Sequence, residues 1–440
     1  MLDSDTTATC DCASAVTSAR GAACAGDATR EGPEQEGHRH EACTEELTPV
    51  EHLCRGTYAL AATVPHTVWL REFVDNGSRA KTRSLAADQR PARFHRSMPG
   101  YRPSELAQAP GLAAHLGLEA LHIKLETARF GLPSFKILGA SWAVCRALSR
   151  RAGLAEPVQT FVDLSALASS LDGRLTLVAA TDGNHGRAVA RMAALLGLGA
   201  RILVPERTAG ARIAAIAGER AAVEIVRGSY DDAVEVSAAL ADEQHLVISD
   251  TSWPGYEEVP GWVADGYATI FEELAAQLTQ VPPLVAVQIG VGALASATVR
   301  ALGSPDRVIV GFEPADADCV LQAVRAGAPV LVPGPHRSVM AGLNCGIASQ
   351  VALPDIAAGL AALCAIEDGA AEHAVRMLLE DGLECGETGA SGVAGLLALR
   401  ERWPEDAWTR LGVQAGRPAA LALCTESPTD PVSFARIIAA

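Results

Sequence analysis

Positive charge is scarce in this sequence, and lysine is nearly missing from it. Lys and Arg number 36 against 52 Asp and Glu, which leaves a net charge of -16. A surface of that sign repels nucleic acid and anionic lipid, and no basic patch offsets it, so neither is expected as a partner. No apolar run approaches the ~18–20 residues of a membrane span. The first 30 residues lack the basic start and apolar stretch of a secretory leader, and a cytoplasmic protein is expected. Aromatic residues make up only 4% of the chain, yet 49% of it is hydrophobic. A chain of 440 residues with that Ala- and Leu-rich composition excludes fibrous and disordered classes and fits two domains or subdomains. Eleven cysteines in so long a chain do not read as a disulfide framework.

Only three of the basic residues are lysine: Lys81, Lys124 and Lys136. Arginine serves everywhere else, so a retained lysine marks a task the guanidinium cannot perform. Attack on a carbonyl carbon by a neutral amine is such a task. Three ordinary surface lysines are the competing reading. Residues 1–64 show no sustained apolar periodicity and are expected to form a poorly ordered extension. Their run from His38 to Cys43 has no C-x-x-C spacing beside it, so no metal is expected there.

From about residue 118 the pattern becomes regular. β-rich runs at 175–181, 200–205, 222–226, 245–249, 284–289 and 307–312 alternate with Ala-rich helical stretches. Such alternation predicts an α/β fold with mostly parallel sheets covered on both faces. Ligands in these folds lie where strand ends turn into helices.

Three loops stand at such places. In the first, Lys136 sits between Phe135 and the apolar pair Ile137-Leu138 at a helix start. Apolar surroundings favour the neutral amine that Schiff-base chemistry requires. A snorkelling lysine at a helix terminus is the plain alternative. The second is Thr181-Asp182-Gly183-Asn184-His185-Gly186, whose glycines allow close backbone approach and whose Asn184 can meet a ring oxygen. A polar turn capping the next helix explains it equally well. The third runs from Gly290 through Val291, Gly292, Ala293 and Leu294 to Ala295, and its backbone N–H groups suit phosphate. It also matches the dinucleotide pattern G-x-G-x-x-A, with Glu313 near the ribose-binding offset. An NAD-dependent oxidoreductase is therefore a second reading, although it gives Lys136 and Asn184 nothing to do.

Taken in order, Ser134-Phe135-Lys136 with Gly139, then Gly183-Asn184-His185-Gly186, then the late Gly-rich loop resemble the fold-type II pyridoxal-phosphate enzymes. More narrowly, FHRSMPGY at 94–101, RFGLPSFKILGAS at 129–141, TDGNHGR at 181–187, DTSWPGYEEVP at 250–260, EPADADC at 313–319, MAGLNCG at 340–346 and TESPTDP at 425–431 resemble diaminopropionate ammonia-lyases. The resemblance covers roughly residues 70–435. It breaks at Lys124-Leu125-Glu126 and at Ser104-Glu105-Leu106, both ahead of Lys136.

The resemblance implies a tryptophan-synthase-β-like fold. A larger subdomain would comprise 65–135 and 256–440 and a smaller one 136–255, with pyridoxal 5'-phosphate between them in a homodimer. It implies α,β-elimination of ammonia from 2,3-diaminopropionate, a small amino-acid substrate, giving pyruvate. A serine or threonine dehydratase is the related alternative. Lys136 would hold the cofactor and act as base, Asn184 would meet the ring hydroxyl, and Gly290, Val291, Gly292, Ala293 and Leu294 would cradle the phosphate. Cys424 or, preferably, Thr425 would face the ring nitrogen. Asp182 and Asp250 would favour a substrate whose β group is an ammonium. Gly139, Ala140 and Ser141 would receive its carboxylate. Cys319 and Cys345 are expected close together near the entrance.

Overall fold

The computed structural model describes residues 70–75, 88–171, 175–181, 183–414 and 416–440. The expected extension, its His38–Cys43 run, Lys81 and Asp182 lie outside the described residues.

The strands are β1 (Leu70–Asp75), β2 (Glu105–Gln108), β3 (Leu121–Leu125), β4 (Thr176–Ala180), β5 (Gly199–Pro205), β6 (Ala222–Val226), β7 (His245–Val247), β8 (Leu284–Gln288), β9 (Val308–Pro314), β10 (Ala362–Ile366) and β11 (Ala420–Cys424). They form a seven-stranded sheet in the order β1-β10-β9-β8-β11-β3-β2 and a four-stranded sheet in the order β6-β5-β4-β7. The smaller sheet is parallel throughout. In the larger one only the edge pairs β1–β10 and β2–β3 are antiparallel. The predicted α/β class is thus the observed one.

Parallel strands buried on both faces carry near-continuous apolar runs. β8, β10 and β11 meet that condition, each buried at every position. One hydrophobic cluster joins the smaller sheet to the helix Lys136–Arg151 and to one face of the larger sheet. A second fills the other face beneath the helix Glu387–Arg402.

The strand order fixes where a ligand can sit. From β8 the chain steps outward through β9 to β10, whereas β11 and β3 lie on the other side of β8. At such a reversal the loops beyond the strand ends part and leave a crevice. Leaving β8 is the Gly290 loop, leaving β11 is Thr425, and leaving β3 is the segment that reaches Lys136. Across the crevice, neighbouring β4 and β7 lead to Asn184 and Asp250.

A disulfide joins Cys424, the last residue of β11, to Cys385, just before the helix Glu387–Arg402, with Cα atoms 6.2 Å apart. It corrects the reading of Cys424 as a partner for a ring nitrogen, because that sulfur is bonded elsewhere. Cys319 and Cys345 are both buried. The Cys319 thiol lies 3.7 Å from the Gly290 carbonyl oxygen, and a Cβ on Gly290 would come within 3.5 Å of the Cys345 sulfur.

Candidate active site

Lys136 opens its helix, and everything around it is tightly held. The preceding segment is pinned by paired backbone at Arg129–Leu132 and at Ser134–Glu426. A buried ion cluster anchors its start. The Arg129 guanidinium donates to Glu273 Oε1 at 2.7 Å and to Glu126 Oε2 at 3.0 Å. Lys124 Nζ donates to Glu273 Oε2 and to the Ser104 carbonyl oxygen, each at 2.9 Å. Burial alone would push the Glu273 carboxyl up, but Arg129 and Lys124 outweigh it and hold it down at about 2. Lys124 is therefore a structural lysine. The two places where the family pattern breaks, around Lys124 and Ser104, meet in this one cluster.

Behind Lys136 the first helical turn packs backbone against backbone. A Cβ on Gly139 would lie 2.7 Å from Tyr267 Cε1 and Val263 Cγ1, and one on Gly266 would lie 2.4 Å from the Leu138 carbonyl oxygen. His95 Nε2 donates to that same oxygen at 3.0 Å while its Nδ1 accepts from Thr269 Oγ1 at 2.7 Å. Burial pushes the His95 ring down to about 3, which keeps it neutral for both bonds. This packing corrects the expectation for Gly139, Ala140 and Ser141. They are buried against neighbouring helices, and the Ser141 hydroxyl turns back to Leu138 at 3.3 Å. None is free to take a carboxylate.

The Lys136 amine donates to Asp250 Oδ2 at 2.7 Å. In place of a wholly apolar setting, the structure gives it a buried carboxylate. Tyr230 donates to Asp250 Oδ1 at 3.0 Å, and His185 Nδ1 lies 3.9 Å from Oδ2. Burial would raise the Asp250 pKa, but His185, Lys136 and the Lys136 and Tyr230 hydrogen bonds hold it well below the usual carboxylate range. Asn184 opens the helix Asn184–Leu196, and its side-chain amide donates to Glu426 Oε2. Sequence reading passed over Glu426, which is buried; its place directly after Thr425 was the available signal.

Beside Lys136 lies a pocket walled by Phe135, Tyr267, Gln288, Thr388, Thr425 and the turn from Gly290 to Leu294. Gly292 has φ +106°, a backbone only glycine adopts without strain, and the helix Ala293–Leu302 begins next to it. An open cleft of about 330 Å³ adjoins it, bordered by Arg212, Tyr230, Asn344 and Glu387. Lys136, Asp250, Asn184, the Gly290–Leu294 turn and Thr425 are thus brought to one place. Glu313 is not. Its buried carboxylate accepts the Val320 and Leu321 N–H groups, both at 2.8 Å, and so caps the helix Cys319–Ala326. The acidic residue that the dinucleotide reading needs is spent on the fold.

Comparison with known proteins bears on the same pocket. The family described as pyridoxal-phosphate dependent enzyme matches residues 98–410. The chain belongs to that family. Among its relatives, the diaminopropionate ammonia-lyase of Escherichia coli K12 is 34% identical over 280 residues, which span 62% of this chain and 69% of the relative. The Salmonella typhimurium enzyme of the same name is 34% identical over 281 residues, 60% of this chain and 68% of that one. The structure of the Escherichia coli enzyme in complex with an aminoacrylate-PLP azomethine reaction intermediate superposes with a TM-score of 0.75 at 27% identity, covering 84% of this chain and 98% of that chain. Within the pyridoxal-phosphate enzymes, this chain therefore stands with the diaminopropionate ammonia-lyases.

The pocket suits pyridoxal phosphate on its own evidence. It offers a lysine amine, a turn of backbone N–H groups at a helix start for a phosphate, and a buried hydroxyl at Thr425. Two further polar atoms on its walls, Tyr267 OH and Gln288 Oε1, are buried and have no hydrogen-bond partner. Buried polar atoms are rarely left so unless a ligand or water meets them.

Proposed function

We propose that this chain is a pyridoxal-phosphate-dependent lyase that converts 2,3-diaminopropionate and water to pyruvate and two molecules of ammonia. The observation that carries the reading is the Lys136 amine, held at 2.7 Å by buried Asp250 beside a phosphate-sized glycine turn, in a chain of the ammonia-lyase family. Pyridoxal phosphate supplies the electron sink that makes the substrate Cα–H bond acidic.

The residues divide the remaining work. Lys136 would hold the cofactor through Nζ and would take the substrate Cα proton at that same atom. Asp250 orients that amine and, with Asp182, favours the ammonium form of the substrate's β-amine, an opposite charge within ~4–6 Å being enough. Asp182 would act as an acid only toward a leaving nitrogen that arrives neutral, or would remove the Cα proton of the D-isomer from the opposite face. Asn184 would meet the ring hydroxyl, and Gly290, Val291, Gly292, Ala293 and Leu294 would offer backbone N–H groups to the phosphate. Thr425 would present a neutral group to the ring nitrogen, which would temper the electron sink and favour elimination. A homodimer in the cytoplasm, and the division into subdomains 65–135 with 256–440 and 136–255, belong to the same proposal. No described helix is long and apolar enough to cross a membrane.

Borohydride reduction of the holoenzyme followed by peptide mapping tests the centre of this reading. Label is expected on Lys136 alone, with none in Lys136→Arg and no ammonia released by that variant. Label on Lys81 or Lys124 would overturn the assignment.

A further inference from the structure

Gln288 is the one polar residue in the otherwise apolar β8, and it is buried. Its Nε2 faces four acceptors: Thr425 Oγ1 at 2.8 Å, the Leu423 carbonyl oxygen at 3.0 Å, the Gly389 carbonyl oxygen at 3.2 Å and the Thr388 carbonyl oxygen at 3.3 Å. Carbonyl oxygens only accept, so three of these contacts fix which end of the amide points this way. The N–H directed at Thr425 therefore has a settled sense, and the Thr425 oxygen accepts. Among the described residues Gln288 is the sole hydrogen-bond partner of that hydroxyl. Thr425 is 2% exposed and walls the pocket beside Lys136. A buried hydroxyl proton needs an acceptor, and among the described residues no protein group accepts from Thr425 Oγ1, while the nearest carbonyls face the Gln288 amide.

We infer that Gln288 is a positioning residue that commits the Thr425 hydroxyl to donate into the pocket, so that the cofactor's ring nitrogen is held unprotonated. The inference rests on the proposed function and goes beyond it by naming what decides the direction of one hydrogen bond. The alternative arrangement, a protonated ring nitrogen donating to Thr425, would leave the threonine proton buried without an acceptor. Such a loss costs about 1–3 kcal/mol, enough to shift the balance by roughly one to two powers of ten. Replacing Gln288 by an apolar residue releases the carbonyls of Thr388, Gly389 and Leu423. They can then take the Thr425 proton, and the hydroxyl oxygen becomes free to accept from the ring.

The test loads wild type, Gln288→Leu, Gln288→Met, Thr425→Val and the double variant Gln288→Leu/Thr425→Val with pyridoxal phosphate labelled with nitrogen-15 in the ring. Ring-nitrogen resonance and cofactor absorbance are followed against pH. In wild type the resonance should keep its unprotonated position throughout the folded range. In Gln288→Leu, or in Gln288→Met should the leucine variant not fold, a titration should appear, displaced upward by at least one pH unit from any wild-type transition. In the Thr425→Val background the Gln288 substitution should change nothing further. An unshifted titration in both Gln288 variants would overturn the inference, as would a full Gln288 effect without the threonine hydroxyl. Failure of wild type to bind cofactor through Lys136 would instead sink the proposed function. The two failures are read separately.

Discussion

At the scale of single residues, Asp250 bears the most. One carboxylate takes hydrogen bonds from Lys136 and Tyr230, stays ionised despite its burial, and sits in the loop that follows β7, where the crevice opens. Asp250→Asn removes the charge but little volume. It should lower kcat/KM for diaminopropionate about 100-fold or more, the scale on which a positioned proton-transfer group acts. Measured beside Asp182→Asn on diaminopropionate, serine and threonine, the loss should be greatest for the diamino acid. Turnover of diaminopropionate within a few-fold of wild type in both variants would remove the carboxylates as the specificity device, and a wild-type preference for serine would point to a dehydratase. Lys136, Asp250 and Thr425 were legible because each follows a strand or opens a helix in a recognisable motif. Tyr267 and Gln288 were not, since only tertiary packing brings them to the pocket. Gln288 did leave a trace, as a lone amide ending an apolar strand.

At the scale of elements, the segment between β3 and the Lys136 helix owes its shape to Glu273 rather than to its own sequence. Glu273 holds Arg129 and Lys124 from a separate helix, Ala268–Gln277. Glu273→Gln leaves two cations sharing one remaining buried carboxylate and should cost about 3–5 kcal/mol in urea unfolding. The pH dependence has a definite sign. The Glu273 carboxyl titrates lower in the folded chain, at about 2, than in the unfolded one, near 4.3. Its contribution is therefore complete above the unfolded value and drains away as pH falls toward the folded one. The stability gap between wild type and Glu273→Gln should accordingly shrink from pH 5 to pH 3, and a constant gap would contradict the assignment. Element by element, β4 to β9 were readable as Val-, Leu- and Ile-rich runs. β10 and β11 read Ala-Leu-Cys-Ala-Ile and Ala-Leu-Ala-Leu-Cys, a composition shared with the helices around them, and of the two only β11 was expected as a strand, from the family resemblance. Neighbouring strands, not intrinsic preference, make them β. The edge strands β1 and β2 are short and lie ahead of or at the start of the regular pattern, where alternation gave no guide.

At the scale of the whole molecule, the disulfide between Cys385 and Cys424 closes a loop with a sequence separation of 39 residues and ties the centre of the larger sheet to the helix across its face. Loop closure of that length is worth about 2–4 kcal/mol. Cys385→Ala should lower the unfolding free energy of oxidised protein by that amount and leave reduced protein nearly unchanged. Equal losses in both redox states would assign the effect to packing instead. The strand this bridge secures has one more consequence. Among the described residues β11 is the last strand to be synthesised, yet it lies inside the sheet, between β8 and β3. Roughly 300 residues separate β3 from β11, which is roughly 15–60 s of synthesis at ordinary elongation rates. Until β11 emerges, β8 and β3 have no common neighbour, and the threonine wall of the pocket does not yet exist. The lysine amine and the glycine turn thus leave the ribosome well before the threonine wall that completes the pocket between them.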